Sequence, residues 1–183
     1  MMEIYDLARA FMRSRGNDVQ WVGGYPSREL VAAGIEDGGQ YVCVAHEDRS
    51  DGQTGRRSVC HDPDRRQNGY IAATFWFAVA PEPTYAEIFG DEGRRTPGAW
   101  LDGSADFDDA PYGVVHRLGS DGSVKGIGEF CLDWCLEKCG NIRVDTHAEN
   151  GVMQSLMARM GYTRCGVIFV GDGTPRDVFQ KRK

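Results

Sequence analysis

The sequence contains no hydrophobic run long enough to cross a membrane. A membrane-spanning helix requires roughly 20 consecutive apolar residues, and every apolar stretch of this chain is clearly shorter. We therefore expect no membrane partner. The first residues, MMEIYDLARAF, place acidic side chains in an amphipathic pattern. Signal and transit peptides do not show that pattern, so we expect neither and predict a cytoplasmic location.

Basic residues are in the minority. The 183 residues include 21 lysines and arginines against 27 aspartates and glutamates, which gives a formal net charge of -6 at pH 7. A protein that binds the phosphate backbone of nucleic acid needs a basic face, so we expect no nucleic-acid partner. The same acidic balance is compatible with a positively charged partner such as an amine.

Patterns typical of metal centres and disulfide scaffolds are lacking as well. The six cysteines are Cys43, Cys60, Cys131, Cys135, Cys139 and Cys165. Three of them recur every four residues, and they lie too far apart along a helix to close on one zinc ion. A chain of this length can bury enough core to fold without disulfides. We predict reduced thiols that behave as small buried hydrophobes, and no metal.

The pattern of polar and apolar residues predicts one α+β domain that covers residues 1–183. Four helices are predicted: one with Ile4, Leu7 and Phe11 on its inner face, one that begins near Pro26, one after residue 126, and one capped by Asn150. The predicted strands are QYVCVAH, YIAATFWFAVA, YGVVHRL, NIRVDTH, TRCGVIFV and DVFQK. Polar loop insertions are predicted at about 47–69 and 90–110, with a short helix near Tyr85.

A glycine-rich turn, Gly122 to Gly128 (GSVKGIG), joins the predicted strand YGVVHRL to the next helix. The glycines allow the backbone to approach a ligand closely, and the helix start presents unpaired N–H groups at the positive end of the helix dipole. Together these features describe a phosphate site. The alternative is an ordinary turn between a strand and a helix.

The turn and a second motif carry a resemblance to a known family. About twenty residues after Ser123-Val124-Lys125-Gly126-Ile127-Gly128, the run RVDTHAEN is followed by MARMGY. In this order the chain resembles the GNAT superfamily of acyl-CoA-dependent N-acetyltransferases, whose turn reads Gln/Arg-x-x-Gly-x-Gly/Ala. Both glycines match, and serine replaces the first residue. The runs WVGGYPSREL and YGVVHRL are similar to one bacterial subset of that superfamily.

The resemblance implies a fold and a cofactor site. The fold is a mixed, mostly antiparallel sheet flanked by helices, with splayed central strands that form a cleft for CoA. It implies acetyl-CoA as co-substrate, with its pantetheine arm beside the backbone of Arg117, Leu118 and Gly119. The pyrophosphate is then expected on the N–H groups of Ser123, Val124, Lys125, Gly126, Ile127 and Gly128. Asn150 caps its helix and is also expected to bond the pantetheine.

Several residues are candidates for the proton chemistry of amine acetylation. For the general base the candidates are His116, His147 and Glu87, because each follows or lies in a segment that the resemblance places near the reacting groups. Many family members protonate the departing thiolate with a tyrosine on the helix that follows the Asn. Here that position is Met157, so Tyr112 or Tyr85 becomes the candidate donor.

The sequence-based expectation is an N-acetyltransferase that acts on a primary amine of a small molecule. The alternatives are a protein or peptide N-terminal acetyltransferase and a catalytically weak acyl-CoA-binding module. An acidic stretch, Asp102, Asp106, Asp108 and Asp109, is either a solvated loop or a rim that attracts a cationic acceptor. The sequence leaves open whether the protein forms a homodimer.

Overall fold

The computed structural model describes residues 1–47, 57–59 and 69–183. Its helices are α1 (Met2–Ser14), α2 (Arg28–Glu36), α3 (Ile127–Cys139) and α4 (Gly151–Arg159). Its strands are β1 (Gln40–Glu47), β2 (Arg57–Val59), β3 (Tyr70–Val79), β4 (Phe89–Gly90), β5 (Gly93–Pro97), β6 (Gly113–Ser120), β7 (Asn141–Thr146), β8 (Thr163–Phe169) and β9 (Pro175–Arg182). Short 3₁₀ turns span Val22–Gly24 and Pro83–Tyr85. The latter is the short helix predicted near Tyr85.

The strands form a mixed, mostly antiparallel sheet in the order β2-β1-β3-β6-β7-β9-β8-β4-β5. Strands β6 and β7 pair in parallel, with Gly113–Val115 opposite Ile142–Val144. Strand β9 lies between β7 and β8 and pairs antiparallel with both of them along most of its length. The predicted α+β class with a mixed sheet is confirmed. Within the described ranges, no helix has the length and apolar character needed to span a membrane.

Three short strands lie in stretches for which the sequence predicts loops. Strand β2 falls inside the predicted loop 47–69 and pairs with residues 45–47 of β1. Strand β5 falls inside the predicted loop 90–110 and β4 lies at its start, where β4 pairs with β5 and, through Phe89, with Val167 of β8. Strands of three, two and five residues are too short to show a hydrophobic period. The other residues of the first loop, Cys60 among them, lie outside the described residues.

The chain divides into two compact units, of which the first contains residues 1–76 and 117–131. Its interior holds a polar junction at Gln40, whose Nε2 donates to Thr74 Oγ1 at 2.7 Å and to the Phe75 carbonyl at 3.1 Å. The same nitrogen lies 3.0 Å from the hydroxyl of Tyr5, which is fully buried on α1. Because buried polar groups are costly unless hydrogen-bonded, these contacts fix α1, β1 and β3 against one another.

The second unit contains residues 77–116 and 132–183. Its centre is Arg143 of β7, which is fully buried between the rings of Tyr112 and Trp100, at 3.8 and 4.2 Å from their centroids. One guanidinium nitrogen donates to Asp102 Oδ1 at 2.8 Å and to the Ser104 carbonyl at 2.8 Å. A buried arginine requires such a partner, so this pair anchors the segment before β6 to the sheet.

The position of Asp102 corrects one sequence-based expectation. Its side chain is only 5% exposed, so it does not belong to an acidic rim. Burial by itself raises the pKa of Asp102, but hydrogen bonds from Asn141 and Gln180 and the charge of Arg143 outweigh burial and hold the pKa below its usual value. The remaining aspartates of the stretch, Asp106, Asp108 and Asp109, are exposed.

Candidate active site

Strand β6 changes its conformation in its middle. Val114 and Val115 are both buried, and Val115 is the last residue paired with β7. His116 follows directly. Arg117 then has a φ of 57°, a left-handed value that is uncommon for a residue with a side chain. The regular alternation of the strand is therefore interrupted at the residue after His116, a break that the sequence does not reveal.

The imidazole of His116 lies between two carboxylates. Its Nε2 is 3.1 Å from Glu82 Oε2, and its Nδ1 is 3.4 Å from Asp145 Oδ2. The side chains of His116, Glu82 and Asp145 are 28%, 21% and 14% exposed, so the cluster is shielded but reaches solvent. The segment after β3, strand β6 and strand β7 each supply one member.

Glu82 is held by its own turn as well as by His116. It lies between two prolines at the end of β3, and its side chain caps the 3₁₀ turn by accepting hydrogen bonds from the N–H and hydroxyl of Thr84. Its N–H donates to the Tyr112 hydroxyl at 3.1 Å. The hydrogen bond to His116 is the largest cause that lowers the pKa of Glu82, to about 2, against the opposing effect of burial. Glu82 is therefore ionised at neutral pH.

Asp145 is fixed by a tyrosine. The hydroxyl of Tyr85 donates to Asp145 Oδ2 at 2.8 Å, and the Tyr85 side chain is fully buried. The pKa of Tyr85 is raised well above its usual value, mainly by burial and secondly by the charge of Asp145. Tyr85 therefore stays neutral and acts as a donor. The indole of Trp100 donates to the Tyr85 carbonyl at 3.1 Å and so holds the turn in place.

The glycine turn lies between β6 and α3, in the first unit. Val124 and Ile127 are buried and anchor it, whereas Lys125 and Gly126 are exposed. Gly126 has a φ of 79°, and a Cβ added there would lie 2.9 Å from a carboxylate oxygen of Glu129. The start of α3 thus already has an anionic oxygen beside it, as the helix dipole favours. The positive φ of Gly126 and the helix start fit a bound pyrophosphate once the Glu129 carboxylate turns aside.

The serine of the turn is engaged by other residues. Its N–H donates to Asp121 Oδ1 at 2.8 Å, and its hydroxyl is 2.9 Å from the hydroxyl of Tyr70. Ser123 therefore shapes the turn at the position where related sequences carry Gln or Arg. The N–H groups of Ile127 and Gly128 belong to the first turn of α3, where no intrahelical acceptor exists.

Structural comparison identifies the family. With a crystal structure of a GNAT-family acetyltransferase from Streptococcus agalactiae 2603 the chain shares 26% sequence identity and a TM-score of 0.72, over 100% of this chain and 87% of that chain. The chain belongs to the GNAT superfamily. A GNAT-family acetyltransferase from Listeria monocytogenes 4b F2365 is 15% identical with a TM-score of 0.54, over 100% of this chain and 88% of that chain, and shows the fold alone. No protein-family model and no curated protein sequence matches the chain.

This GNAT protein is an acyltransferase. The other candidate residues lie as follows in the structure. Asn150 Oδ1 accepts the N–H of Met153 at 3.2 Å, so the predicted cap of α4 is present. His147 follows β7, and its Nδ1 accepts the N–H of Glu149 at 3.2 Å. Glu87 is exposed after the 3₁₀ turn, and Met157 is fully buried on α4.

Sequence reasoning found His116 but missed Glu82 and Asp145. Both gave a usable signal. Asp145 is the only acidic residue in the strand NIRVDTH, and such a residue needs a partner when its strand is buried. Glu82 is flanked by Pro81 and Pro83, which fix the backbone of a charged residue at a strand end. The two hydroxyls considered as thiolate acids, Tyr85 and Tyr112, are buried and already engaged.

Proposed function

We propose that this GNAT protein transfers an acetyl group from acetyl-CoA to the primary amine of a small molecule. The observation that carries the proposal is the position of His116 on β6, where its ring lies between the carboxylates of Glu82 and Asp145. The next residue, Arg117, begins the segment that leads to the glycine turn. A proton acceptor and a phosphate site on one strand–turn–helix segment are the two elements that acetyl transfer requires.

Binding of acetyl-CoA is assigned to the segment from Arg117 to the start of α3. The backbone of Arg117, Leu118 and Gly119 would pair with the pantetheine arm, as in the family. The N–H groups from Val124 to Gly128 would hold the pyrophosphate, whereas the N–H of Ser123 already donates to Asp121. The exposed Lys125 would add a charge-assisted contact. The positive φ of Gly126 and the helix start at Ile127 support this assignment, and the Glu129 side chain, whose carboxylate lies 2.9 Å from an added Cβ, would turn aside to admit the pyrophosphate.

Proton transfer is assigned to His116. Acetyl-CoA, when bound, supplies an activated thioester. An alkylammonium has a pKa near that of lysine, about 10.4, so a side chain must take its proton before the nitrogen can attack. His116 takes that proton, directly or through one water. One C–N bond then forms, one C–S bond breaks, and one proton ends on the sulfur, so that an amide and a thiol result.

An assay with several acceptors tests this function. The purified protein is incubated with acetyl-CoA and a panel of small primary amines and peptides, and both thiol release and acetylated product are measured. Transfer to small amines supports the proposal. Transfer to peptide N-termini alone would identify the peptide enzyme instead. CoA binding by calorimetry without transfer to any acceptor would indicate the acyl-CoA-binding module.

Substitution separates the candidate bases in the same assay. His116→Gln should lower kcat by about 10²–10⁴-fold, the usual effect of losing a general base, while CoA affinity barely changes. His147→Gln and Glu87→Gln are measured in parallel. A His116→Gln enzyme with near-normal kcat would exclude His116 and assign the role to whichever of the other two variants is impaired.

A further inference from the structure

We propose that Glu82 and Asp145 are positioning residues for His116: they orient its ring from both sides and hold a proton on it, which passes to solvent when the ammonium group of the acceptor replaces that positive charge. The inference rests on the acetyltransferase function proposed above and adds how the base is controlled. It also predicts that the acceptor enters the site as a cation.

The geometry of the cluster suits an imidazolium better than a neutral imidazole. Each ring nitrogen of His116 lies near a carboxylate oxygen: Nε2 is hydrogen-bonded to Glu82 at 3.1 Å, and Nδ1 lies 3.4 Å from Asp145, within ion-pair distance. Only the protonated ring has a donor on both nitrogens; the neutral ring carries a lone pair on one of them. Loss of the proton from Nδ1 would therefore leave a lone pair 3.4 Å from the Asp145 carboxylate, and an entering donor would relieve that repulsion.

The electrostatics of Glu82 supports the same conclusion. Its contact with His116 is the main cause that holds the pKa of Glu82 at about 2. A charge pair acts equally on both partners, so the contact that keeps Glu82 ionised also favours the proton on His116. The groups that face His116 are Glu82 from the segment after β3, Asp145 from β7 and Tyr85 from the 3₁₀ turn. Tyr85 is neutral, and Tyr112 contacts the backbone of Glu82.

The sign of the pH dependence follows from these charges. With His116 protonated, two carboxylates and one imidazolium leave a net charge of about -1; with His116 neutral, the two carboxylates attract an ammonium strongly. Acceptor binding should therefore weaken as the pH falls below the titration midpoint of His116. Removing one carboxylate should move that midpoint, and the acid limb of activity with it, to lower pH.

Titration of His116 by NMR tests the proposal without requiring activity. The Cε1–H signal of His116, assigned by its loss in His116→Gln, is followed against pH in the free wild-type protein and in Glu82→Gln, which keeps the shape of the side chain. The midpoint should fall by about one pH unit or more in Glu82→Gln, since an opposite charge at this range shifts a titration by that amount. Glu137→Gln, an exposed site on α3, makes the same chemical change and should leave the midpoint unchanged.

The pH dependence of kcat/KM for an amine acceptor provides the second readout. Its acid limb should shift to lower pH in Glu82→Gln by the same amount as the NMR midpoint. An unchanged midpoint in folded Glu82→Gln overturns the proposal, and so does a shifted midpoint with an unshifted acid limb. If no acceptor is acetylated at all, the proposed function fails while the NMR result still decides the positioning roles. Asp145→Asn serves as the second variant if Glu82→Gln does not fold.

Discussion

Gly126 is the residue on which the phosphate interpretation depends most directly. Its φ of 79° lies in the left-handed region, where a side chain costs roughly 1–2 kcal/mol of strain. An added Cβ would also displace the carboxylate of Glu129, the end of a flexible side chain that can move aside. Strain and blockage of the turn are separate effects, and a second glycine distinguishes them. Gly140, just after α3, has a φ of 72° and open space around an added Cβ.

We predict that Gly126→Val weakens CoA binding at least tenfold, whereas Gly140→Val leaves CoA affinity unchanged. Both variants should lose a similar free energy of unfolding, because both place a branched side chain at a positive φ. Calorimetric titration with CoA and urea denaturation of the two proteins measure these effects. Equal CoA affinity in two folded variants would move the phosphate site away from this turn.

At the scale of the element, helix α4 combines a structural and a proposed binding role in its first residue. Asn150 accepts the N–H of Met153, one of the four N–H groups that a helix start leaves without an intrahelical acceptor. A cap of this kind contributes about 1 kcal/mol. The resemblance adds a contact of the Asn amide with pantetheine. The cap requires only an acceptor oxygen, which aspartate also supplies.

Asn150→Ala and Asn150→Asp therefore test the two roles separately. We expect Asn150→Ala to lower the free energy of unfolding by about 0.5–2 kcal/mol and Asn150→Asp to leave it nearly unchanged. If the amide also binds pantetheine, both variants should lose CoA affinity. Thermal or urea denaturation measures the first effect, and calorimetry with CoA measures the second. Normal CoA affinity in Asn150→Asp would show that Asn150 only caps α4 and that its amide does not bind pantetheine.

Elements with a strong local pattern could be predicted, and elements defined by distant partners could not. Strand β3 shows a long apolar run, and α4 shows both its cap and its terminal glycine. Strand β4 has two residues and exists only because Phe89 pairs with β8 and β5. Periodicity also predicts an apolar helix face without showing what covers it: on α1, Ile4 is buried, but Leu7 and Phe11 are 52% and 47% exposed.

The candidate site divides in the same way. The glycine turn and His116 could be found from the sequence, because a turn motif is local and histidine is rare in this chain, with four copies. Glu82 and Asp145 each have a local signal, but their meeting at His116 could not be predicted, because they are 63 residues apart in the numbering and come together only in the folded sheet. The left-handed φ of Arg117, which interrupts β6, has no signal in the residue type.

At the scale of the whole molecule, the prediction of one domain over residues 1–183 can be tested through the cysteines. The buried thiols are distributed over both compact units: Cys43 and Cys131 belong to the first unit, and Cys135 belongs to the second. Burial raises the pKa of Cys135, so its reactive thiolate is disfavoured while the protein is folded. Exposure of each thiol therefore reports unfolding of its own unit.

We predict that Cys43 and Cys135 become reactive towards iodoacetamide at the same urea concentration, because helix α3 runs through both units and its two halves cannot unfold independently without breaking the helix. Brief alkylation at a series of urea concentrations, followed by peptide mass spectrometry, gives a midpoint for each thiol. Full denaturation without reductant should yield six alkylated cysteines, as expected for reduced thiols. Two separate midpoints would instead establish two independently stable domains, and fewer than six alkylations would indicate a disulfide.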